Sequence, residues 1–423
     1  MSDGGNAISK HTFYGKVVQL QRLCTAITDC HHSTPNWTES GWIVVRSENI
    51  KRGRIALNNA SCTDHATFLQ RISRSVPEPG DLIVTREAPM GEVGMIPDGV
   101  ECCLGQRLVL VKPDPAKVDR HYLLYAMQSQ FVQEQIGASD ETGSTVSNLR
   151  IPTLKELQIP LLEDTKGIGE VLKALDAKID LNNRINAELE ALAKTIYDYW
   201  FVQFDFPDAH GRPYKSSGGA MVWNDTLKRE IPAGWDVKHL NELLEARSDG
   251  VSASGVIEGT PYTPIDSLPM RKMSFGFVRP STEANTSLIR YRKGDILIGA
   301  MRVYFHRVCV APFDGVTRAT TLVLRAKVGD HLPYLYQVCN EDRTIEMASK
   351  LSVGTQQPYI NWENRLENYS IPYPRDDGLI QKYVAATESF VSAVVNRELE
   401  NAYLAQLRDW LLPLLMNGQV RVA

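Results

Sequence analysis

The sequence predicts an α+β protein made of two pseudo-repeated α/β modules and two long helices that pair with each other. Three observations predict it. The chain resembles itself at a period of about half its length, two long stretches have helical periodicity with no Pro or Gly, and short apolar runs stand between turn residues.

The repeat is read from three collinear matches. Pro79-Gly80-Asp81-Leu82-Ile83-Val84 matches Lys293-Gly294-Asp295-Ile296-Leu297-Ile298, Gly143-Ser144-Thr145 matches Gly354-Thr355-Gln356, and LKELQIPLL (154–162) matches LENYSIPYP (366–374). A Gly-Asp turn before a strand is common. Three matches at nearly one offset are not. Within each module, Leu82 to Thr85, Leu108 to Lys112, Ile296 to Ile298, Val308 to Ala311 and Leu322 to Arg325 read as strands. Tyr122 to Gln135 and Tyr334 to Lys350 read as helices near the end of each module.

Each module runs into a long helix. Ile168, Val171, Leu172, Leu175, Ile179, Leu189, Leu192, Ile196 and Trp200 recur at three- and four-residue steps, as do Ile380, Val384, Val391, Val394, Val395, Leu399, Leu407 and Trp410. A helix of about 35 residues spans roughly 50 Å. One apolar stripe of that length needs an equally long partner, and the other copy supplies it. Two unrelated core helices are the alternative. Asp205 to Ile231, rich in Pro, Gly and Ser, reads as an exposed linker. After it, Trp235, Val237, Leu240, Leu243 and Leu244 suggest a short amphipathic helix.

No run of about eighteen apolar residues marks a membrane span. Residues Met1 to Lys10 are polar and lack the apolar centre of a signal peptide, which points to the cytoplasm. The seven cysteines fit no disulfide or zinc spacing. Cys24, Cys30, His31 and His32 invite a metal reading, but no second ligand pair follows at finger spacing, so no metal is expected. No phosphate-binding Gly loop is present, nor an Asn-Pro-Pro-Tyr stretch, nor a carboxylate-lysine cluster suited to Mg²⁺.

Charge is more informative. The net charge is −4, yet between Met270 and Lys327 eleven Arg and Lys face three carboxylates, interleaved with Phe275, Phe277, Tyr291, Tyr304 and Phe305. Arginine suits phosphates and guanine edges, so the cluster reads as a nucleic-acid footprint or as a solvated basic surface. The first module is less polarised, with Lys51, Arg52, Arg54, Asn58 and Asn59 as one basic polar stretch. Two polar loops, 143–148 and 354–359, suit either base-edge contacts or ordinary turns.

These residues resemble the specificity subunits of type I restriction-modification enzymes. AKIDLNNRINAELEALAKTIYDYWFVQFDF (177–206) looks like that family's central conserved helix, and GSTVSNLRIPTLKELQIP (143–160) like the segment closing a target-recognition domain. GDLIVTREAPMGEVGMIPDGVECCLGQRLVLVKP (80–113) is similar to the body of such a domain, and IPAGW (231–235) to the opening of the second. The second loop departs from the pattern, reading GTQQPYI instead of GSTV.

The resemblance implies target-recognition domains at 1–162 and 233–376 and conserved helices at 163–204 and 377–416, antiparallel, with a linker at 205–232. It implies a non-catalytic subunit that reads a split double-stranded DNA target. Its partners would be two methyltransferase subunits and motor-nuclease subunits, which carry S-adenosylmethionine, ATP and Mg²⁺. A single-chain DNA methyltransferase or endonuclease is the alternative. The expected DNA contacts are Arg52, Arg54, Arg86, Arg107, Ser144 and Thr145 in the first domain. In the second they are Arg271, Arg279, Arg302, Tyr304, Arg307, Thr355 and Gln356. Tyr197, Trp200, Phe201, Trp410 and Leu414 are expected on apolar ridges that receive the methyltransferase.

Overall fold

The structure is a computed structural model and describes residues 16–58, 60–139, 148–284 and 286–422. The chain forms two compact units. One takes the residues up to 177 together with those from 405 onward, the other residues 178–404. Each contains one module and a portion of both long helices.

In the first unit, four antiparallel strands lie in the order Cys24–Asp29, Leu108–Pro113, Leu82–Thr85, Val93–Met95. Alternate side chains of a strand face opposite ways, and both faces here are covered. Leu82 and Val84 pack with Tyr122, Leu123, Met127 and Val132, whereas Ile83 packs with Val45, Ile50, Leu104 and Leu110. A second sheet, Cys102–Leu104, Trp42–Val45, Ser61–Thr63 and Trp37–Thr38, adjoins it in sequence.

The second unit repeats the order with Leu244–Ala246, Thr321–Ala326, Ile296–Gly299 and Val308–Val310. It repeats the alternation too. Ile296 and Ile298 join the large core with Val308, Val310 and Leu324, and Leu297 faces a smaller cluster with Cys309 and Val323. Two strand pairs also correspond, Lys16–Gln19 with Gln158–Leu161 and Trp235–His239 with Ser370–Pro374. The repeat read from three short matches is therefore a repeat of topology.

The expected helices near the end of each module are each split in two. Arg120–Gln128 and Gln130–Ala138 meet at Ser129, and Leu332–Asn340 and Asp342–Leu351 meet at Glu341. Both joints are extended, with ψ of 148° and 135°. Ser and Glu carry no strong breaking signal, so helical periodicity ran through them.

The short helix expected from Trp235 is instead a strand, Trp235–His239, followed by one turn, Leu240–Leu243. Trp-Asp-Val-Lys-His alternates, and pairing with Ser370–Pro374 satisfies that period of two. The Pro- and Gly-rich segment after the central helix is folded. Phe206 stacks on Tyr214 and Trp235, Tyr214 donates its hydroxyl to Ala220 O, and Met221–Asn224 pairs with Arg229–Pro232 as a hairpin.

The central helix, Thr165–Tyr197 with a wider last turn to Val202, and the C-terminal helix, Gly378–Met416, contact each other. In the first unit Ile168 and Leu172 cluster with Leu415 and Met416, and Arg408 pairs with Asp176 at 2.7 Å. In the second, Asn182 bonds Asn401 at 2.9 Å, Asn186 bonds Glu398 at 3.0 Å, and the Tyr383 hydroxyl donates to Ala193 O at 3.0 Å. Rising numbers on one helix meet falling numbers on the other, so the pair is antiparallel. The Asn and Glu contacts form a buried polar layer, which in paired helices costs stability and favours one register.

Candidate nucleic-acid interface

One turn is built twice. Gly80 and Gly294 adopt φ of 91° and 87°, where a Cβ would be strained. Each donates its N–H across the turn, to Ile96 O and Ala311 O, both at 2.9 Å. The following aspartates, Asp81 and Asp295, are buried, accept the N–H of Glu78 and Arg292, and pair with a cation from the neighbouring strand. That cation is Lys112 at 2.8 Å in the first module and Arg325, held by two bonds of 2.7 and 2.8 Å, in the second. Burial raises the Asp81 carboxyl above its ordinary value, against the pull of Lys112. These groups are scaffold. They fix the strands from which the loops project.

In the second module the strand Ile296–Gly299 ends in a sharp turn. Arg302 and His306 are both left-handed, at φ of 50° and 53°, with one helical turn, Val303–Phe305, between them. A left-handed non-Gly residue costs about 1–2 kcal/mol, so two in five residues must be held from outside. They are. Arg302 N donates to Pro358 O at 2.7 Å and its guanidinium to Gln356 O at 3.2 Å. His306 Nε2 lies 2.8 Å from Asn340 Oδ1, and Arg271 N donates to His306 O at 2.8 Å. Burial depresses the His306 pKa, so the ring stays neutral. Val303 points inward, while Tyr304 and Phe305 are 53% and 40% exposed with rings 5.0 Å apart.

The expected contacts separate by placement. Arg302, Tyr304, Thr355 and Gln356 come together on this turn and its bracing loop, and Thr355 and Gln356 are exposed. Arg271 is exposed and pairs with Asp342 at 3.1 Å, and Arg279 pairs with Asp266 and Glu283. Such exposed pairs are worth only about 0–1 kcal/mol, so a phosphate displaces the carboxylate cheaply. Arg307 is turned inward and donates to Ile265 O and Leu268 O.

In the first module Arg52 is exposed and Arg107 pairs with Glu87 at 3.0 Å. Arg86 is largely buried, bonding Asp29 through both carboxylate oxygens at 3.1 Å and Asn148 Oδ1 at 3.2 Å. Arg54 reaches Asp176 of the central helix at 3.3 Å. Ser144, Thr145 and Asn59 lie outside the described residues.

The aromatic ridge on the central helix is placed otherwise than expected. Tyr197 and Phe201 are 5% and 3% exposed and pack with Tyr334 and Tyr383. Trp200, part-buried, meets Tyr383 edge-on, and only Trp410, 62% exposed, and part-buried Leu414 reach the surface. Sequence reasoning selects Tyr304 and passes over Phe305. Its exposure follows from the left-handed residues either side, which no local pattern marks.

The cysteines are free. Six are buried, and burial pushes Cys24, Cys102 and Cys339 up to about 12, which disfavours their thiolates. Among the described residues no three His, Cys, Asp or Glu are grouped to hold a metal.

Two copies of one topology, both with exposed cations and the second with an exposed polar loop at 354–357, suit a recognition protein. A family model, the type I restriction modification DNA specificity domain, matches residues 38–191. The chain is 24% identical over 361 residues to the type I restriction enzyme MjaIX specificity subunit of Methanocaldococcus jannaschii, covering 81% of this chain and 78% of that protein. It is 27% identical over 427 residues to that organism's putative MjaX specificity subunit, covering 96% and 94%. In fold it is similar to the crystal structure of the type I S subunit from M. genitalium, with a TM-score of 0.55, 18% identity and 96% of both chains covered. Residues 38–191 thus carry the DNA specificity domain of type I restriction-modification systems, and the chain is similar over most of its length to their specificity subunits. It is a sequence-specific DNA-binding subunit, non-catalytic itself, that directs partner methyltransferase and nuclease subunits.

Proposed function

We propose that the chain reads a bipartite target in double-stranded DNA, one half-site per module, with the paired helices setting the unread spacer. The observation that carries this is the doubled topology, down to the Gly-Asp turn and its buried ion pair. Two readers of one design suit two half-sites. Half-sites read from one face of DNA lie about 34 Å, or about 10 base pairs, apart, a span within the length of such helices.

Arg52 and Arg107 in the first module, and Arg271, Arg279, Arg302, Tyr304, Thr355 and Gln356 in the second, make the DNA contacts; Ser144 and Thr145 join them. Arg54, Arg86 and Arg307 act through the loops they hold. Two methyltransferase subunits dock on the helix pair, with Trp410 and Leu414 at the surface, and motor-nuclease subunits complete the complex. S-adenosylmethionine, ATP and Mg²⁺ reside in those partners. No helix among the described residues is long and apolar enough to cross a membrane, in keeping with a place in the cytoplasm.

The test is methylome sequencing of the source strain beside one lacking this gene. Loss of N6-methyladenine at one split motif with a fixed spacer is expected. An unchanged methylome, with the methyltransferase partner expressed, overturns the reading.

A further inference from the structure

The turn at Arg302–His306 holds two aromatic rings at the surface in a way that ordinary DNA-contact chemistry does not require. Tyr304 and Phe305 stand at the apex of a tight turn whose two left-handed ends are braced from four sides, by Pro358 O, Gln356 O, Asn340 and the Arg271 N–H. Phe305 is further steadied by the Arg307 guanidinium, 5.9 Å from its ring centre, and that guanidinium is itself anchored to the Ile265 and Leu268 carbonyls. The backbone beneath the rings is therefore held in place while the rings themselves are exposed. Their surroundings are polar and cationic, with Arg271, Thr355 and Gln356 all exposed. The corresponding turn of the first module has the same left-handed ends, Ala88 at φ 43° and Gly91 at φ 84°, but carries Pro89 and Met90 and no aromatic ring. The fold itself does not need the rings.

Rigid apolar side chains flanked by cations are the means by which DNA-binding proteins part stacked bases. The cations hold the backbone while the wedge replaces base–base contact with its own face. We propose that Tyr304 and Phe305 enter the DNA as a wedge and unstack one base step in the half-site read by the second module. The proposal rests on the reading that this module binds DNA. The first module, lacking the rings, leaves its half-site stacked.

The test uses the complete subunit with its methyltransferase partners and a duplex carrying the target found by methylome sequencing. 2-Aminopurine is placed in turn at each position of the second half-site outside the methylated adenine. Wild type is expected to raise fluorescence at one step. Tyr304→Ala/Phe305→Ala is expected to lose that rise and to bind roughly ten- to a hundredfold more weakly, the worth of a stacked base. Tyr304→Leu/Phe305→Leu, still apolar and bulky, is expected to retain the rise. A wild-type complex that binds its target with no rise at any step overturns the wedge, as does an alanine pair that keeps it. If the alanine pair does not bind, the leucine pair decides, and binding without the rise overturns the proposal. A wild-type complex indifferent to the second half-site would instead overturn the recognition reading on which the wedge depends.

Discussion

Replacing Glu190 by Gln is expected to stabilise the second unit at alkaline pH and to remove part of its pH dependence. Glu190 lies on the central helix, partly buried, and its Oε1 accepts the Met273 N–H at 3.2 Å. Burial pushes its carboxyl from an ordinary 4.5 up to about 7, against the Met273 N–H and Lys272 and aided by the negative charge of Glu398. Lys194, Arg271, His306 and Asp342 line the same small cavity.

A carboxyl raised on folding binds more protons in the folded state between pH 4.5 and about 7. Its contribution is therefore complete below 4.5 and is lost as pH rises to about 7. At about 1.36 kcal/mol per unit, discounted for partial solvent access, the loss is about 2–3 kcal/mol. The substituted amide would keep an acceptor for the Met273 N–H and never ionise.

The assay is urea denaturation of wild type and Glu190→Gln at pH 5 and pH 8, read as a difference between the two proteins. The difference is needed because burial depresses the pKa of His31, His121 and His306. For those groups stability rises with pH through the same window, opposing Glu190. The variant should gain about 1.5–2 kcal/mol on wild type in passing from pH 5 to pH 8. An equal stability difference at both pH values would refute the reasoning.

Four further outcomes are expected. Arg325→Ala leaves Asp295 buried and unpaired and should cost about 3–5 kcal/mol in chemical denaturation, while Arg325→Met with Asp295→Leu should cost far less; equal losses would discredit the pairing. Arg271→Ala should reduce the salt slope of DNA binding by about one and weaken all sequences alike, whereas Arg302→Ala should cost about 1–3 kcal/mol and relax one target position; methylome sequencing and salt titration separate the two. Phe201→Ala should lower stability by about 3–5 kcal/mol through a core cavity. Trp410→Ala should leave stability within about 0.5 kcal/mol and reduce methyltransferase co-purification. Undiminished assembly would remove Trp410 from the docking surface.

The sequence by itself determined the repeat, five of the eight strands of the two matched sheets, the two long helices and the basic second module. These are written in local pattern. A buried strand is apolar, a Gly-Asp turn precedes Leu82 and Ile296, and the long helices keep Gly and Pro to their ends, at Gly167, Gly169, Gly378 and Pro413. The resemblance of residues 177–206 to a central conserved helix adds the family on the same local grounds.

What only the tertiary structure decided is where each polar and aromatic side chain spends its interactions. Arg86, Arg302 and Arg307 are alike in sequence. One closes a buried pair with Asp29, one braces a surface loop and one is anchored to buried carbonyls. Tyr197 and Phe201 lie in the core because Tyr334 and Tyr383 pack against them. Tyr304 and Phe305 turn outward because left-handed residues flank them. Trp235 to His239 become a strand because Ser370–Pro374, some 130 residues on, offers the other edge. The physical reason is common to all of these. Periodicity fixes how a segment folds, whereas exposure and pairing depend on atoms that long-range contacts bring beside it.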